Sequence, residues 1–326
     1  MHNILSILIT TYNRAGFLDV ILGLLCDYQK KGLNFNVVVS DDCSSDNTKE
    51  IAEKWTPSIK GYKYLRSDKN QGMDGNFIAA YTACETEYCW LLGDHRYVEF
   101  DELGRIISLL EAHQYDALVL KCHPKNLIPE KEYSDINQLL VDLGYNITNN
   151  ASCVIPKKFV SEWAYKRFYG TTFLHMGIFV ENLCQMHDFK ILFVSDILVR
   201  DIDLDVSFVQ TGWYGHPFLN FGKLWFEFVM SLPNVIKVEN KFDVLLSHNR
   251  MTGIFNINDV LANRYRFGNE YVDSYKENRQ YIQYVSDTPR WRYDVYILFF
   301  PMSLYAMWRK LRKHVSRFKK TLRNLN

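Results

Sequence analysis

With 326 residues, 48% of them hydrophobic, the chain has material for two domains or for one large α/β unit with additions. Charged residues at 23% exclude low-complexity disorder as a description of the whole, and a net charge of +1 lacks the basic excess of a general nucleic-acid binder. The seven cysteines, Cys26, Cys43, Cys84, Cys89, Cys122, Cys153 and Cys184, are scattered and form no Cys-x-x-Cys pair, which reads as reduced thiols rather than a disulfide frame or a zinc site.

The start has no basic leader, no long apolar run and no small-residue cleavage site, so no signal peptide is expected. Ile4 to Thr10 is a β-branched and aliphatic run suited to a parallel strand buried on both faces. Phe17, Leu18, Ile21, Leu22 and Leu25 then recur at helical spacing. Phe35 to Ser40 predicts a second strand, followed by a polar turn from Asp41 to Thr48 and a helix carrying Ile51, Ala52 and Trp55. Tyr62 to Arg66 and Asn76 to Ala83 give a third strand and helix, and Tyr88 to Leu92 a fourth strand that breaks at Gly93-Asp94-His95-Arg96. Strand, loop and helix in repetition imply a twisted, mainly parallel sheet with right-handed crossovers, in which ligands bind at the C-terminal strand ends. Thr10 and Thr11, Asp41 and Asp42, and Asp94 all fall at those ends.

Farther on, Leu103 to His113 predicts a helix and Ala117 to Lys121 a strand. Pro124 to Tyr145 reads as irregular or helical, Ser152 to Pro156 as a strand, Phe159 to Tyr169 as a helix, and Phe189 to Val194 as a late strand. Thr172 to Leu183 is an unbroken apolar stretch, and 216–290 reads mostly as helical with aromatic stripes. No repeat or linker interrupts the chain, so the second half is expected to pack on the first.

Ser6 to Arg14 (SILITTYNR), together with Val37 to Thr48 (VVVSDDCSSDNT), closely resembles the opening of family 2 glycosyltransferases of the GT-A fold. Asn70 to Asn76 (NQGMDGN) is similar to that family's third stretch, and Leu91-Leu92-Gly93-Asp94 to its fourth, which carries the acidic metal motif. The likeness is firm over about the first hundred residues and weakens toward residue 200, where it points to the bacterial O-antigen and capsule branch. It implies a Rossmann-like, mainly parallel sheet flanked by helices, with a helical C-terminal extension. It divides the chain into a nucleotide-sugar half (1–100), an acceptor half of the same domain (101–215), a helical region (216–294) and a tail (295–326).

The resemblance also implies a nucleoside diphosphate sugar donor and displacement with inversion. Thr10 and Asp42 look like nucleobase and ribose contacts, with Tyr12, Asn13, Arg14 and Asp41 beside them. Asp94 looks like the first acid of the metal motif, which would hold Mn²⁺ or Mg²⁺. The second acid usual in the family is replaced by His95 and Arg96. Either His95 ligates the cation with Asp94, or Arg96 itself neutralises the departing diphosphate; a bland partner for Arg96 would be Glu99 or Asp101. Asp74 and Asn76 stand where the family often has Arg-Asn and read as lining the donor site. Lys69 is either a phosphate contact or a solvated charge.

Inversion needs a base for the acceptor hydroxyl proton. His175 and Glu181 are the ionisable groups within the apolar stretch, with His175 the first choice and Glu181 the second. Asp201, Asp203 and Asp205 form either an acidic patch for the acceptor or a solvated loop. Trp213 to Pro217 (WYGHP) offers a sugar-stacking turn, and Ser247-His248-Asn249-Arg250 a weak phosphate candidate, although most of the 21 Phe, 21 Tyr and 7 Trp must be core.

Val295 to Trp308 is 14 uncharged residues broken by Pro301. As a helix it would be about 21 Å long, too short for a hydrocarbon core of about 30 Å. Eight basic residues and no acidic one follow Asp294, so the rest of the chain carries −7. That suits an interfacial helix on an anionic membrane, on the inner, cytoplasmic face, where a polyprenyl-diphosphate-linked saccharide would be the acceptor; a core helix with a solvated basic end, or a basic RNA-binding tail, is the alternative. A non-catalytic sugar-nucleotide-binding protein with a degenerate metal motif is the rival reading. A nucleotidyltransferase lacks the Gly-rich phosphate loop it would need.

Overall fold

The computed structural model describes residues 3–204 and 215–311. The first half builds as expected. Strands β1 (Leu5–Thr11), β2 (Asn36–Asp41), β3 (Tyr62–Arg66) and β4 (Tyr88–Leu91) alternate with helices α1 (Ala15–Lys30), α2 (Thr48–Trp55) and α3 (Gly72–Thr82). They lie in the order β3-β2-β1-β4, all parallel, so Thr11, Asp41 and Leu91 end together at one edge. Leu5, Ile7 and Ile9 point to one face of β1 and pack with Leu18, Ile21, Leu22 and Leu25 of α1 in one apolar cluster. The intervening Ser6 is also buried, on the other face, where its Oγ accepts from the Thr86 hydroxyl at 2.8 Å.

Next come β5 (Arg96–Tyr97), α4 (Phe100–Glu111), β6 (Ala117–Lys121), β7 (Lys131–Tyr133), α5 (Ile136–Ile147), β8 (Cys153–Pro156), α6 (Glu162–Phe168), α7 (Leu174–Gln185), β9 (Ile191–Leu198) and β10 (Arg200–Asp201). The sheet continues β4-β8-β6-β9-β7. Strands β6 and β9 are parallel, whereas β8 runs antiparallel to both β4 and β6, and β7 antiparallel to β9. The sheet is therefore mixed and mainly parallel. Three features lie beyond the sequence reading: the antiparallel direction of β8, the edge strand β7 inside the region read as irregular or helical, and the β5–β10 ribbon. In that ribbon Asp201 is paired with Arg96 and Arg200 with Tyr97.

The described residues fall into two compact units. The first holds 3–204 together with 228–247; the second holds 215–227 with 248–311. This division differs from a boundary near 216. Residues 228–247 are tied to the sheet unit through small packed contacts. Arg167 Nη2 donates to the Ser231 carbonyl at 2.8 Å, Asn137 Nδ2 to the Val235 carbonyl at 3.1 Å, and a Cβ on Gly144 would meet Val244 at 3.0 Å. The second unit is helical throughout, and its core is aromatic. Phe218 is packed by Phe255, Tyr271 and Tyr275 with ring centroids 4.9–5.4 Å apart.

Candidate active site

The loops at the C-terminal edge of β1, β2 and β4 are locked to one another. Asn13, in a left-handed conformation (φ 52°), accepts from the Ser45 backbone N–H at 2.7 Å, and its own N–H donates to Ser44 Oγ at 2.9 Å. Asp46 accepts from the Ala15 and Thr48 backbones and from the Thr48 hydroxyl, capping the starts of α1 and α2. Half of the aspartate-rich stretch is thus scaffold. Asp41 belongs to that half. Its carboxylate is fully buried, accepting from Ser44 N–H and Tyr64 Oη at 2.9 Å, with Arg66 Nε at 3.3 Å. The structure places it inward, against Tyr64 and Arg66. Asn13 likewise spends its side-chain oxygen on Ser45.

Asp42 behaves differently. Its N–H donates to the Thr11 carbonyl at 3.1 Å, and its Oδ1 accepts the Gln71 N–H at the start of α3 at 2.7 Å. Among the described residues its second oxygen takes no hydrogen bond. Asn76 reaches back from α3 to the same Thr11 carbonyl at 3.3 Å. The Asn76 Oδ1 and the Thr11 Oγ1 are both buried without a partner. Buried polar atoms are rarely left so in a finished core, so this strand end is built for something to complete it. Thr10 is partly exposed, Tyr12 is exposed at the rim and Lys69 is exposed. Arg66 at the end of β3 donates to the Ser44 carbonyl at 2.8 Å and pairs with Asp41, so it belongs to the scaffold.

Asp94 follows Gly93, whose φ of 83° makes the sharp turn out of β4. The carboxylate is 3% exposed and takes Arg14 Nη1 and His95 Nδ1, each at 3.1 Å. His95 lies between two guanidinium groups: Arg14 Nη1 is 3.3 Å from its Nδ1, and Arg96 Nε donates to its Nε2 at 3.3 Å. Its Nδ1 thus faces both the Asp94 carboxylate and the Arg14 guanidinium, and its Nε2 faces Arg96. Arg96 pairs across the β5–β10 ribbon with Asp201 at 2.9 Å, not with Glu99 or Asp101. Glu99 instead caps α4 in a capping box with Glu102. Among the described residues no group of three His, Cys, Asp or Glu side chains is arranged to hold a metal. The expected pair of ligands, Asp94 and His95, is already engaged by Arg14 and Arg96. A carboxylate paired with one guanidinium and an imidazole flanked by two do not, as arranged here, fit a divalent cation.

On the acceptor side, His175 is the second residue of α7. Its Nε2 donates to the Thr148 carbonyl at 3.0 Å, its ring lies edge-on to Phe77 at 5.9 Å, and its Nδ1 is buried without a partner. Burial depresses its pKa to about 4, so the ring is neutral and Nδ1 carries a free lone pair. Glu181 lies six residues on, about 240° around the helix, and so faces elsewhere. Its Oε1 takes Arg167 at 2.5 Å, and Arg167 also caps the Ser231 carbonyl. The structure therefore separates the two candidates; Glu181 is held through Oε1 by Arg167, and its Oε2 is buried without a partner. Asp74, read as lining the donor site, turns the other way: its Oδ2 accepts the Gly170 N–H at 2.7 Å.

The remaining sequence candidates divide plainly. Asp203 is exposed, and Asp205, Trp213 and Tyr214 lie outside the described residues. His216 pairs with Glu270 at 2.8 Å. The 247–250 cluster is consumed by the fold: Ser247 bonds the Val244 carbonyl, His248 stacks on Phe221 at 4.5 Å, Asn249 donates to Ser286, and Arg250 makes a two-pronged pair with Asp287.

Comparison with known proteins agrees with this geometry. The family model described as glycosyl transferase family 2 matches residues 6–169. The abequosyltransferase RfbV of Salmonella typhimurium is 29% identical over 110 residues, 33% of this chain and 33% of that one. The poly(ribitol-phosphate) β-N-acetylglucosaminyltransferase TarS of Staphylococcus aureus is 27% identical over 117 residues, 36% of this chain and 20% of its own length. The matched segments thus span about a third or less of these relatives. The solved structure of TarS 1–349 with UDP-GlcNAc superposes with a TM-score of 0.58 at 15% identity, over 86% of this chain and 81% of that one. A mannosyltransferase from Pyrobaculum calidifontis, solved with GDP-Man and Mn²⁺, gives 0.51 at 12% identity over 95% of this chain and 81% of its own. With the matched motifs at the strand ends and a GT-A sheet beneath them, the chain belongs to glycosyl transferase family 2 and is a glycosyltransferase.

Proposed function

We propose that this chain moves one sugar, with inversion, from a nucleoside diphosphate sugar to a hydroxyl of a lipid-linked saccharide in bacterial surface-polysaccharide assembly. The observation that carries the reading is the pair of buried acids that follow β2 and β4, on either side of β1, Asp42 and Asp94, each held by one defined set of neighbours. The free oxygen of Asp42 suits a base N–H or ribose hydroxyl, and Thr11 Oγ1 and Asn76 Oδ1 are the unfilled atoms beside it. Arg14 and Arg96, poised on Asp94 and Asp201, are cations at the strand end where the diphosphate is expected. They would take up the charge that develops on the leaving group, by exchange of a carboxylate for a phosphate. In this reading no step is routed through a metal.

His175 serves as the base. The acceptor oxygen forms its bond to the anomeric carbon as the bond to the diphosphate oxygen breaks, and the hydroxyl proton goes to Nδ1. A pKa of about 4 in the empty site is low for this task. The negative diphosphate that arrives with the donor raises it.

A lipid-linked acceptor suits the exposed apolar residues of the second unit. No helix among the described residues is long and apolar enough to cross a membrane. Trp291, Phe299, Met307, Trp308 and Leu311 are nonetheless 45–75% exposed, the last three flanking Arg309 and Lys310 in sequence. Each large apolar side chain withdrawn from water contributes about 1.5–3 kcal/mol, which supports docking at the inner face of the cell membrane.

The test is a panel of nucleoside diphosphate sugars monitored for diphosphate release, with and without Mn²⁺ and EDTA. Turnover that survives EDTA and is abolished by Asp42→Ala and by Asp94→Ala supports the reading. Nucleotide binding by calorimetry with no turnover on any donor favours the non-catalytic alternative.

A further inference from the structure

Helix α3 serves two neighbours at once. Its first residues face the donor edge: the Gln71 N–H bonds Asp42, and Asn76 bonds the Thr11 carbonyl. Positions 71, 74 and 77 recur every three residues and so line a common side. All three meet either the turn before α7 or the start of α7 itself. The Gln71 carbonyl accepts from Tyr169 Oη at 3.5 Å, Asp74 Oδ2 accepts the Gly170 N–H at 2.7 Å, and the Phe77 ring meets His175 edge-on. Of these, the Asp74 contact is the short, charge-assisted one.

The turn it grips is not one the chain adopts freely. Gly170 (φ 80°) and Thr172 (φ 74°) are both left-handed, and a β-branched residue is rare there. Such a turn persists only where its surroundings hold it. Gly177, one turn along α7, packs so tightly on Phe168 that a Cβ would fall 2.3 Å from the ring, so the start of α7 has no slack on its other side. Asp74 itself is only 8% exposed, and its second oxygen is buried without a partner. Burial pushes its carboxyl pKa up. A buried acid so costly to keep is explained if its grip on Gly170 is needed.

We infer that Asp74 is a positioning residue, which locks the 169–172 turn to α3 through the Gly170 N–H and so holds His175 in register with the donor edge. This rests on the reading of His175 as the base. Two readouts keep the two ideas apart.

The first readout is activity, as the ratio of sugar transfer to donor hydrolysis, because water needs less exact placement than an acceptor hydroxyl. Asp74→Ala should lower that ratio at least about 30-fold while nucleotide affinity stays within about threefold. Asp74→Asn, whose amide oxygen still accepts the Gly170 N–H, should recover most of the ratio. The second readout is amide hydrogen exchange of residues 169–175, which needs no turnover. Exchange should quicken at least about tenfold in Asp74→Ala and stay near wild type in Asp74→Asn.

An alanine variant with wild-type ratio and exchange overturns the inference. So does one whose nucleotide affinity collapses, because Asp74 would then be a donor contact. If Asp74→Ala does not fold, Asp74→Asn decides: a folded amide variant with protected 169–175 but no transfer shows that the charge, not the positioning bond, is what matters. A wild-type protein that turns over no donor defeats the functional reading, while the exchange comparison still tests the lock.

Discussion

Polar clusters of similar make-up meet different fates in the two units. In the helical unit they close on themselves. Arg250 pairs with Asp287, His216 with Glu270, and Asn249 with Ser286, while His248 stacks on Phe221. The buried atoms left over there are two neutral hydroxyls, Tyr271 and Ser274. In the sheet unit, acids and amides are brought to a common edge by parallel strands and stay incomplete. Thr11 Oγ1, Asn76 Oδ1 and His175 Nδ1 are all buried and unfilled. Unfilled buried atoms alone do not separate a functional cluster from a structural one, since His123, Asn126 and Ser161 also carry them; what sets Thr11 and Asn76 apart is that they meet at one strand end. The comparison breaks if the sheet-unit atoms prove as dispensable as those of the helical unit.

The largest effect is expected at the acids. Asp42→Ala and Asp94→Ala should each reduce sugar transfer by at least about a thousandfold, the scale of lost transition-state stabilisation of about 4 kcal/mol. By contrast, Arg250→Ala, which loses an exposed ion pair in the helical unit, should leave turnover near wild type and cost at most about 1 kcal/mol in denaturant unfolding. Equal losses at both places would erase the distinction.

Next comes His175. Replacement by Gln keeps a donor for the Thr148 carbonyl and removes the basic nitrogen, and should cost about 10²–10⁴ in transfer rate. The same variant carries a stability signature. The His175 pKa falls from 6.5 in the unfolded chain to about 4 in the folded one. Between those values the unfolded chain binds the extra proton, so wild-type stability falls as pH drops from about 6.5 toward 4, by up to about 1.4 kcal/mol per pH unit from this group. His175→Gln should flatten that slope in urea titrations at pH 4.5, 5.5 and 7. An unchanged slope would place the titration elsewhere.

Metal dependence comes third. Because Arg14 and Arg96 already engage Asp94 and His95, EDTA should change turnover by no more than about threefold. Arg14→Lys and Arg96→Lys keep charge but lose the planar fork, and should each slow transfer about tenfold or more. A strict requirement for Mn²⁺ would mean that the arginines release both ligands when donor and metal arrive together.

Much of the donor side was legible because strand periodicity, helix spacing and turn chemistry agree there. Even Asp41 and Asp42 could have been told apart. Neighbours at a strand end point to opposite sides, so one must face in, toward Tyr64 and Arg66, and the other toward α3. The Arg96–Asp201 pair was not legible. It depends on two-residue strands too short to show a period, joined across 105 positions. The antiparallel β8 was equally hidden, since a four-residue apolar run looks the same in either direction. The sequence ranks His175 above Glu181 within one apolar stretch, but it does not show that α7 turns them to different sides.

The smallest expected effect concerns the helical unit's exposed apolar residues. A deletion from residue 295 onward would be a blunt test, because Ile297 is fully buried and Arg264 caps the Tyr296 and Phe300 carbonyls at 2.8 and 2.7 Å. Substitution is cleaner. Phe299 is 75% and Trp308 45% exposed, so Phe299→Glu with Trp308→Glu should leave thermal unfolding within a few degrees of wild type. On vesicles of phosphatidylcholine with 30% phosphatidylglycerol, the same pair should lower the bound fraction about tenfold or more, as two lost apolar insertions of about 1.5–3 kcal/mol each would do. Removing residues 312–326 should act differently, weakening binding at 0.1 M NaCl but little at 1 M, because its contribution is electrostatic and screened. If both changes leave flotation untouched, these apolar side chains have another purpose, and the helical unit is scaffold from end to end.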